Sequence, residues 1–542
     1  MYIFGVWMDS LDRKPKRCRT SSSLLEPCSE DRLTSLPDDL LTRILSILPT
    51  KDAAATQVLS KRMKRPFRWI SSIDLDDSHI SYCVQRPHLI ERFALFESFI
   101  DNVLHKLSES SSQQPLTRFR LHLGGDNTIL PRRYYNGHKC KKAYCFPDPQ
   151  PARIYAWISY PLAHDGLREL DLSVRVKNPK ECKLPPEIFA CRSLEVLRLD
   201  IKLKITGESG DNEIPIIFLP NLKLLHLRSF VFTEDNFVTR LVSNCPVLED
   251  LSITYCRWLK ADRLIISSHS LRRFVFIIDK YNNDIEKNSD LLHIDAPNLQ
   301  YFDYFDNLAL NYILHLNDLV EACIDITFPL RFGTFETSFR KQLSLLRALS
   351  NVKHLSLLGW SIQIFYYYAK LKDRLPMFRN LRTLKLGELC DQLCNTRWDI
   401  VLLLIFDRAP LLEELVFIEG FFSDPDYTCV YHAPNHHITA PYEAAWEADK
   451  GVTRIIPSCF EFHLKRIRIY NCHGRDQELN MMRFLLGKAS VLKEFVISMS
   501  KRPGGVLFDA LEYGHFKNEL EKIPRASNSC SIIYSDDEPN YD

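Results

Sequence analysis

Leu167-Arg168-Glu169-Leu170-Asp171-Leu172 is followed by Leu194-Glu195-Val196-Leu197-Arg198-Leu199 and then by Leu222-Lys223-Leu224-Leu225-His226-Leu227. The shared pattern is apolar-x-x-apolar-x-apolar. Its first residues are spaced by 27 and 28 positions here, then by 26, 23 and 28 on to Leu248, Leu271 and Leu299. An earlier copy is Leu116-Phe119-Leu121, and later ones are Val352-Leu355-Leu357, Leu381-Leu384-Leu386, Leu412-Leu415-Phe417, Leu464-Ile467-Ile469 and Leu492-Phe495-Ile497. A weaker copy, Leu319-Ala322-Ile324, splits the gap between residues 299 and 352.

A repeat of this kind has a physical reading. The last two apolar residues of each unit alternate at period two, as in a strand with one face inward. Turn residues stand just before a unit, as at Pro220-Asn221, Cys245-Pro246 and Pro297-Asn298. The chain is then expected to return by an irregular or helical segment. No unit can bury its apolar edge alone, so neighbours stack into a curved parallel sheet. The period lies in the ~20–29-residue range of leucine-rich repeats. The stretches 124–152 and 423–457 break it and read as insertions.

At 542 residues the chain has room for about three domains or one long array. Hydrophobic residues make up 45% and charged residues 25%, as in chains that fold in water. Lys+Arg 70 against Asp+Glu 68 leaves +2, which removes a global electrostatic case for nucleic-acid or anionic-membrane binding. The best apolar run, Val401 to Phe406, stops at Asp407-Arg408, short of the ~20 residues of a membrane helix. The 16 cysteines are scattered and no secretory leader is recognised, so reduced thiols and an intracellular protein of cytoplasm and/or nucleus are expected.

Residues 1–30, with Arg13, Lys14, Lys16, Arg17 and Arg19, read as a disordered basic tail that could double as a nuclear address. Between 31 and 76 the character is helical. Ser35-Leu36-Pro37-Asp38 offers a helix start, and Leu36, Leu40, Leu41, Ile44, Leu45 and Leu48 form one stripe that ends at Pro49. Thr50 can cap a second helix and Ser60 a third, which Pro66 curtails. Three short helices bury too little to be stable alone, which suggests docking against a partner. Residues 77–115 read as a linker and a capping helix, striped by Phe96, Phe99, Ile100, Val103, Leu104 and Leu107.

Asp31 to Asp76 resembles a plant-type F-box, through Leu36-Pro37-Asp38-Asp39-Leu40-Leu41, Ile44-Leu45-Ser46, Leu48-Pro49-Thr50-Lys51 and Val58-Leu59-Ser60-Lys61-Arg62. Residues 116–450 look like the degenerate leucine-rich repeats that follow such F-boxes. Residues 457–500 are similar to the FBD segment that ends many of them, and 501–542 read as a tail. The resemblance implies an α/β fold, a three-helix F-box followed by an irregular repeat solenoid. It implies a substrate receptor of a Skp-cullin-F-box ubiquitin ligase, its adaptor docked at Leu36, Pro37, Leu40, Ile44, Leu45, Leu48, Pro49, Val58, Leu59 and Ser60. Met63 stands where the family usually has Trp, and Pro66-Phe67 replaces Leu-Trp. Only Cys256 and Cys472 fill the Asn/Cys slot of the repeats, so an irregular array is expected.

No phosphate loop, paired-His helix, nucleophile elbow or kinase signature is present, and no cofactor or catalytic residue is expected. His138, Cys140 and Cys145, and Cys429, His432, His436 and His437, lack the paired spacing of a zinc site. Target recognition is expected on the strand residues that alternate with the leucines, foremost His226, Arg228, Arg273, Tyr301, Asp303 and Phe305. The alternative is a scaffold or small-molecule sensor whose F-box serves outside ubiquitin transfer.

Overall fold

The computed structural model describes residues 35–78, 86–109, 115–124, 150–175, 184–201, 204–205, 216–232, 236–258, 263–278, 291–307, 311–327, 343–359, 361–362, 375–387, 398–421, 456–500 and 510–537. The basic tail and most of both insertions lie outside them. The described residues form two compact units, divided between Leu219 and Pro220.

The first unit opens with helices α1 (Asp38–Ile47) and α2 (Thr50–Leu59), then a 3₁₀ turn (Lys61–Met63) running into α3 (Lys64–Phe67). Leu41 and Leu45 of α1, Ala53 and Ala54 of α2, and Met63 and Phe67 meet in a common interior with Ile70 and Ile73. Pro66 is buried in the first turn of α3, where its missing N–H costs nothing, and the turn continues past it. The third helix stays short, ending at Phe67, one residue beyond Pro66. Ser60 caps as expected, its hydroxyl accepting from the Arg62 N–H at 3.2 Å.

Thr50 does something else. It sits inside α2, fully buried, and its Oγ1 accepts the N–H of Asp74 at 2.7 Å. Asp74 lies in a strand, β1 (Ser72–Asp76), that pairs in parallel with β2 (Arg118–Leu123). The ladder to β2 uses the Ser71 carbonyl and the Asp77 N–H, so the Asp74 N–H faces the opposite edge. Just before the strand, Ser46 accepts the Ser71 N–H at 3.1 Å and adds a second tie from the helices. The helices thus close the outer edge of the first repeat, which begins at Ile70-Ile73-Leu75, one unit before the leucine pattern suggests. Thr50→Val should cost about 1–2 kcal/mol in urea unfolding by orphaning that N–H, whereas Thr50→Ser should hold near wild type.

Helix α4 (Arg86–Ser108) is the return segment of this repeat rather than a cap. Its Glu97 and Asp101 grip Arg153 of α5 (Pro151–Leu162) at 2.6 Å each, and Trp157 Nε1 donates to Asp101 at 2.7 Å. Strands β3 (Glu169–Val174) and β4 (Val196–Ile201) continue the sheet in parallel, followed by the short β5 (Lys204–Ile205).

The second unit holds β6 (Leu224–Arg228), a short β7 (Val231–Phe232), β8 (Asp250–Trp258), β10 (Arg273–Ile278), β12 (Tyr301–Asn307), β14 (Glu321–Thr327), β15 (His354–Gly359), β16 (Thr383–Leu386), β17 (Glu414–Phe417), β18 (Arg466–Cys472), β19 (Glu494–Met499) and β20 (Ser531–Tyr534). Except for β7, each pairs in parallel with the next, so that Leu225, Leu251, Phe274, Phe302, Ala322, Leu355, Leu384, Leu415, Ile467 and Phe495 stand in one row. None of these is more than 1% exposed. The weak copy at Leu319 is a full repeat.

Two features depart from the sequence reading. The return segments after β8, β10 and β12 are strands β9 (Arg263–Ser267), β11 (Leu291–Asp295) and β13 (Asn311–His315), in a second parallel sheet. Leu264, Ile266, Leu292 and Ile294 bury one side of it at period two. Residues 501–542 also hold more than a tail. Helix α10 (Ala510–Glu521) buries Phe516 and Leu520, and β20 pairs with β19. Earlier in this unit the strands are interspersed with α6 (Phe237–Ser243), α7 (Trp398–Asp407), α8 (Ser458–Phe462) and α9 (Asp476–Lys488).

Candidate docking surfaces

The stripe read along α1 divides into two faces. Leu41, Thr42 and Leu45 turn inward, Leu45 being only 3% exposed, so its side chain supports the module instead of offering contact. Leu40 (43%), Ile44 (39%) and Ile47 (83%) turn outward. Ile47 is absent from the sequence assignment, although it follows Ile44 by three residues and so continues the same stripe. The signal was available: apolar residues span too wide an arc of α1 for a single buried face.

On α2 the outward side carries Val58, 62% exposed. Pro37 and Pro49 are exposed, Leu36, Leu48 and Ser60 half-buried, and the Leu59 side chain lies outside the described residues. Arg62 ties the start of α1 to the third helical segment, donating to the Leu36 carbonyl at 2.7 Å and to Asp38 at 3.3 Å. Where the family usually has Trp, Met63 fills the interior at 3% exposure, as a flexible thioether can.

The strand residues that alternate with the core make a second candidate surface. In the first unit they are charges that satisfy one another. Arg120 pairs with Asp74 at 3.0 Å and Asp76 at 3.1 Å and donates to His122 Nδ1 at 3.0 Å, while His122 Nε2 meets Asp171 at 3.0 Å. Arg198 pairs with Glu169 at 2.9 Å.

In the second unit Asp250 holds His226 at 3.3 Å and Arg273 at 3.4 Å, and the Arg273 guanidinium lies 4.8 Å over the Tyr301 ring. Desolvation pushes the Asp250 carboxyl up, but the His226 hydrogen bond and the charges of His226 and Arg273 outweigh it and hold it below its usual value. Arg228 lies 5.0 Å over Tyr255. Thus His226, Arg273 and Tyr301 are brought together, half-buried, and Arg228 and Asp303 share their face. Phe305 does not join them: it is 4% exposed and has almost no surface to offer. Further along, Leu358, Val416 and Ile418 form a closed apolar cluster with Cys323 and Tyr470 against it.

Among the described residues no group of three His, Cys, Asp or Glu side chains could hold a metal ion. The His138 and Cys429 clusters lie outside them. Cys256 and Cys472, in the repeat slot, are both buried, and burial lifts the Cys472 thiol well above its ordinary value.

A helical module with an apolar outer face, hooked onto the first strand of a leucine-rich-repeat sheet, is the architecture of an F-box/leucine-rich-repeat protein. Family models agree. An F-box domain matches residues 33–65, the LRR repeats of "FBD-associated F-box protein At5g56370" match 154–317, and an FBD matches 454–497. F-box/LRR-repeat protein At4g14103 of Arabidopsis thaliana is 31% identical over 412 residues, covering 74% of this chain and 94% of its own. F-box/FBD/LRR-repeat protein At1g78750 of the same plant is 25% identical over 540 residues, covering 97% and 100%. The chain belongs to the plant F-box/LRR-repeat family and carries an FBD segment.

Proposed function

We propose that this chain is the non-catalytic substrate receptor of a Skp-cullin-F-box ubiquitin ligase, with the F-box on the adaptor and the repeats on a target protein. The observation that carries it is the outer face of the module. Leu40, Ile44, Ile47 and Val58 are exposed together on two neighbouring helices, whereas the leucines and isoleucines of the repeat row on the strands are buried. An exposed apolar patch of this kind marks a protein contact. The F-box match supports a Skp-type adaptor as the occupant. In this reading the chain performs no bond chemistry; tethering raises the concentration of target lysines near the charged ubiquitin.

Ile47→Asp combined with Val58→Asp, both on exposed positions, should weaken adaptor binding by about 100-fold or more with the fold intact, since charge in an apolar contact is costly. Pull-down with purified Skp-type adaptor, alongside circular dichroism, measures it. Full-strength binding by the double variant would remove the basis of the reading.

A further inference from the structure

The charge of the docking module is out of proportion to the rest of the chain. Residues 35–70 contain Arg43, Lys51, Lys61, Arg62, Lys64, Arg65 and Arg68 against Asp38, Asp39 and Asp52, seven minus three, a surplus of +4. The whole chain carries +2, so the remainder is −2. All seven cations are exposed. Arg62 has its carboxylate partner in Asp38. Among the described residues, Arg43, Lys61, Lys64 and Arg68 take part in no ion pair. The repeat face of the same unit is the opposite case, with each charge spent on a neighbouring strand.

Helical geometry puts these cations beside the apolar contact residues. Arg43 precedes Ile47 by one turn and follows Leu40 by three residues, so it shares the outward face of α1. Lys61, Lys64 and Arg68 lie on and just after the third helical segment, which follows Val58 across the extended backbone of Ser60. Unpaired exposed cations bring no stability to the folded chain and repel one another. Beside an apolar patch, they match a partner of opposite sign.

We propose that the module's partner presents an apolar groove rimmed by carboxylates, and that Arg43, Lys61, Lys64 and Arg68 steer and orient it. The inference rests on the adaptor reading and adds the chemistry of the adaptor's surface. Rim charges act over the Debye length of about 8–10 Å and govern the association rate more than residence time.

The test uses the full chain and purified Skp-type adaptor, with rate constants measured in low and high salt. The triple variant Lys61→Glu, Lys64→Glu and Arg68→Glu should slow association about tenfold or more at low salt. It should change dissociation by less than about threefold and flatten the salt dependence. Association as fast and as salt-sensitive as wild type would overturn the proposal. So would tighter binding of a random-sequence DNA duplex than of adaptor, which would make the cations a nucleic-acid contact. Failure of the adaptor reading shows elsewhere, as undiminished binding by the Ile47→Asp, Val58→Asp variant.

Discussion

Phe302→Ala should lower the unfolding free energy by about 3–5 kcal/mol, the range for deleting a fully buried aromatic side chain. Phe302 has no exposed surface and lies at the centre of a stack. Its ring is 5.9 Å from Phe274 on one neighbouring strand and 5.7 Å from Tyr304 on its own, and Tyr304 lies 5.8 Å from Phe276. The cavity would therefore open against two repeats at once. Because each repeat is stable only through its neighbours, the loss should extend beyond one strand. Urea denaturation of the full chain followed by near-ultraviolet circular dichroism measures the loss, with hydrogen exchange locating it over β10 to β14. A cost under about 1.5 kcal/mol would mean that the site collapses around the smaller residue and that the stack is not the continuous core described.

Glu478→Ala is the second large effect, at about 3 kcal/mol. The Glu478 carboxylate is 1% exposed and accepts the N–H groups of His473 and Arg475, each at 3.0 Å, within the FBD segment. It closes a turn in which Asn471 and Gly474 take positive φ angles of 54° and 72°. Removing the carboxylate orphans two inward-facing donors, and each buried donor left without an acceptor costs about 1–3 kcal/mol. Glu478→Gln keeps one acceptor oxygen and should recover part of the loss. Thermal unfolding gives the magnitude, and faster exchange at the His473 and Arg475 amides gives the place. Amides that stay protected in Glu478→Ala would assign the turn's stability to packing instead.

Much of this was legible in the sequence because strand burial is a period-two property of local residues. Leu170 and Leu172, or Phe302 and Tyr304, declare both their strand and their side of it. The first repeat escaped because Ile70-Ile73-Leu75 abuts the F-box and its strand is rich in aspartate, so that it reads as an end rather than a beginning. The fate of Thr50 was not legible either: a Thr after Pro at a helix start has the look of a cap, and only the arrival of Asp74 from 24 residues away gives its hydroxyl another donor. Phe305 failed for a related reason. Alternation places it off the main core, but segments distant in sequence decide whether that face stays open. Ile47 shows the reverse: an isoleucine on a short helix is ordinarily core, and this one is left bare.

The hooks from Ser46 and Thr50 bear on how the protein can be dissected. A chain cut just after Ile70 would lose its docking surface and would also present a raw ribbon of unmatched amides, a template for self-association. Deleting the module therefore confounds two losses, and clumping could pass for absence of function. Single exchanges on the outer helices keep the end-plate in place and separate the two.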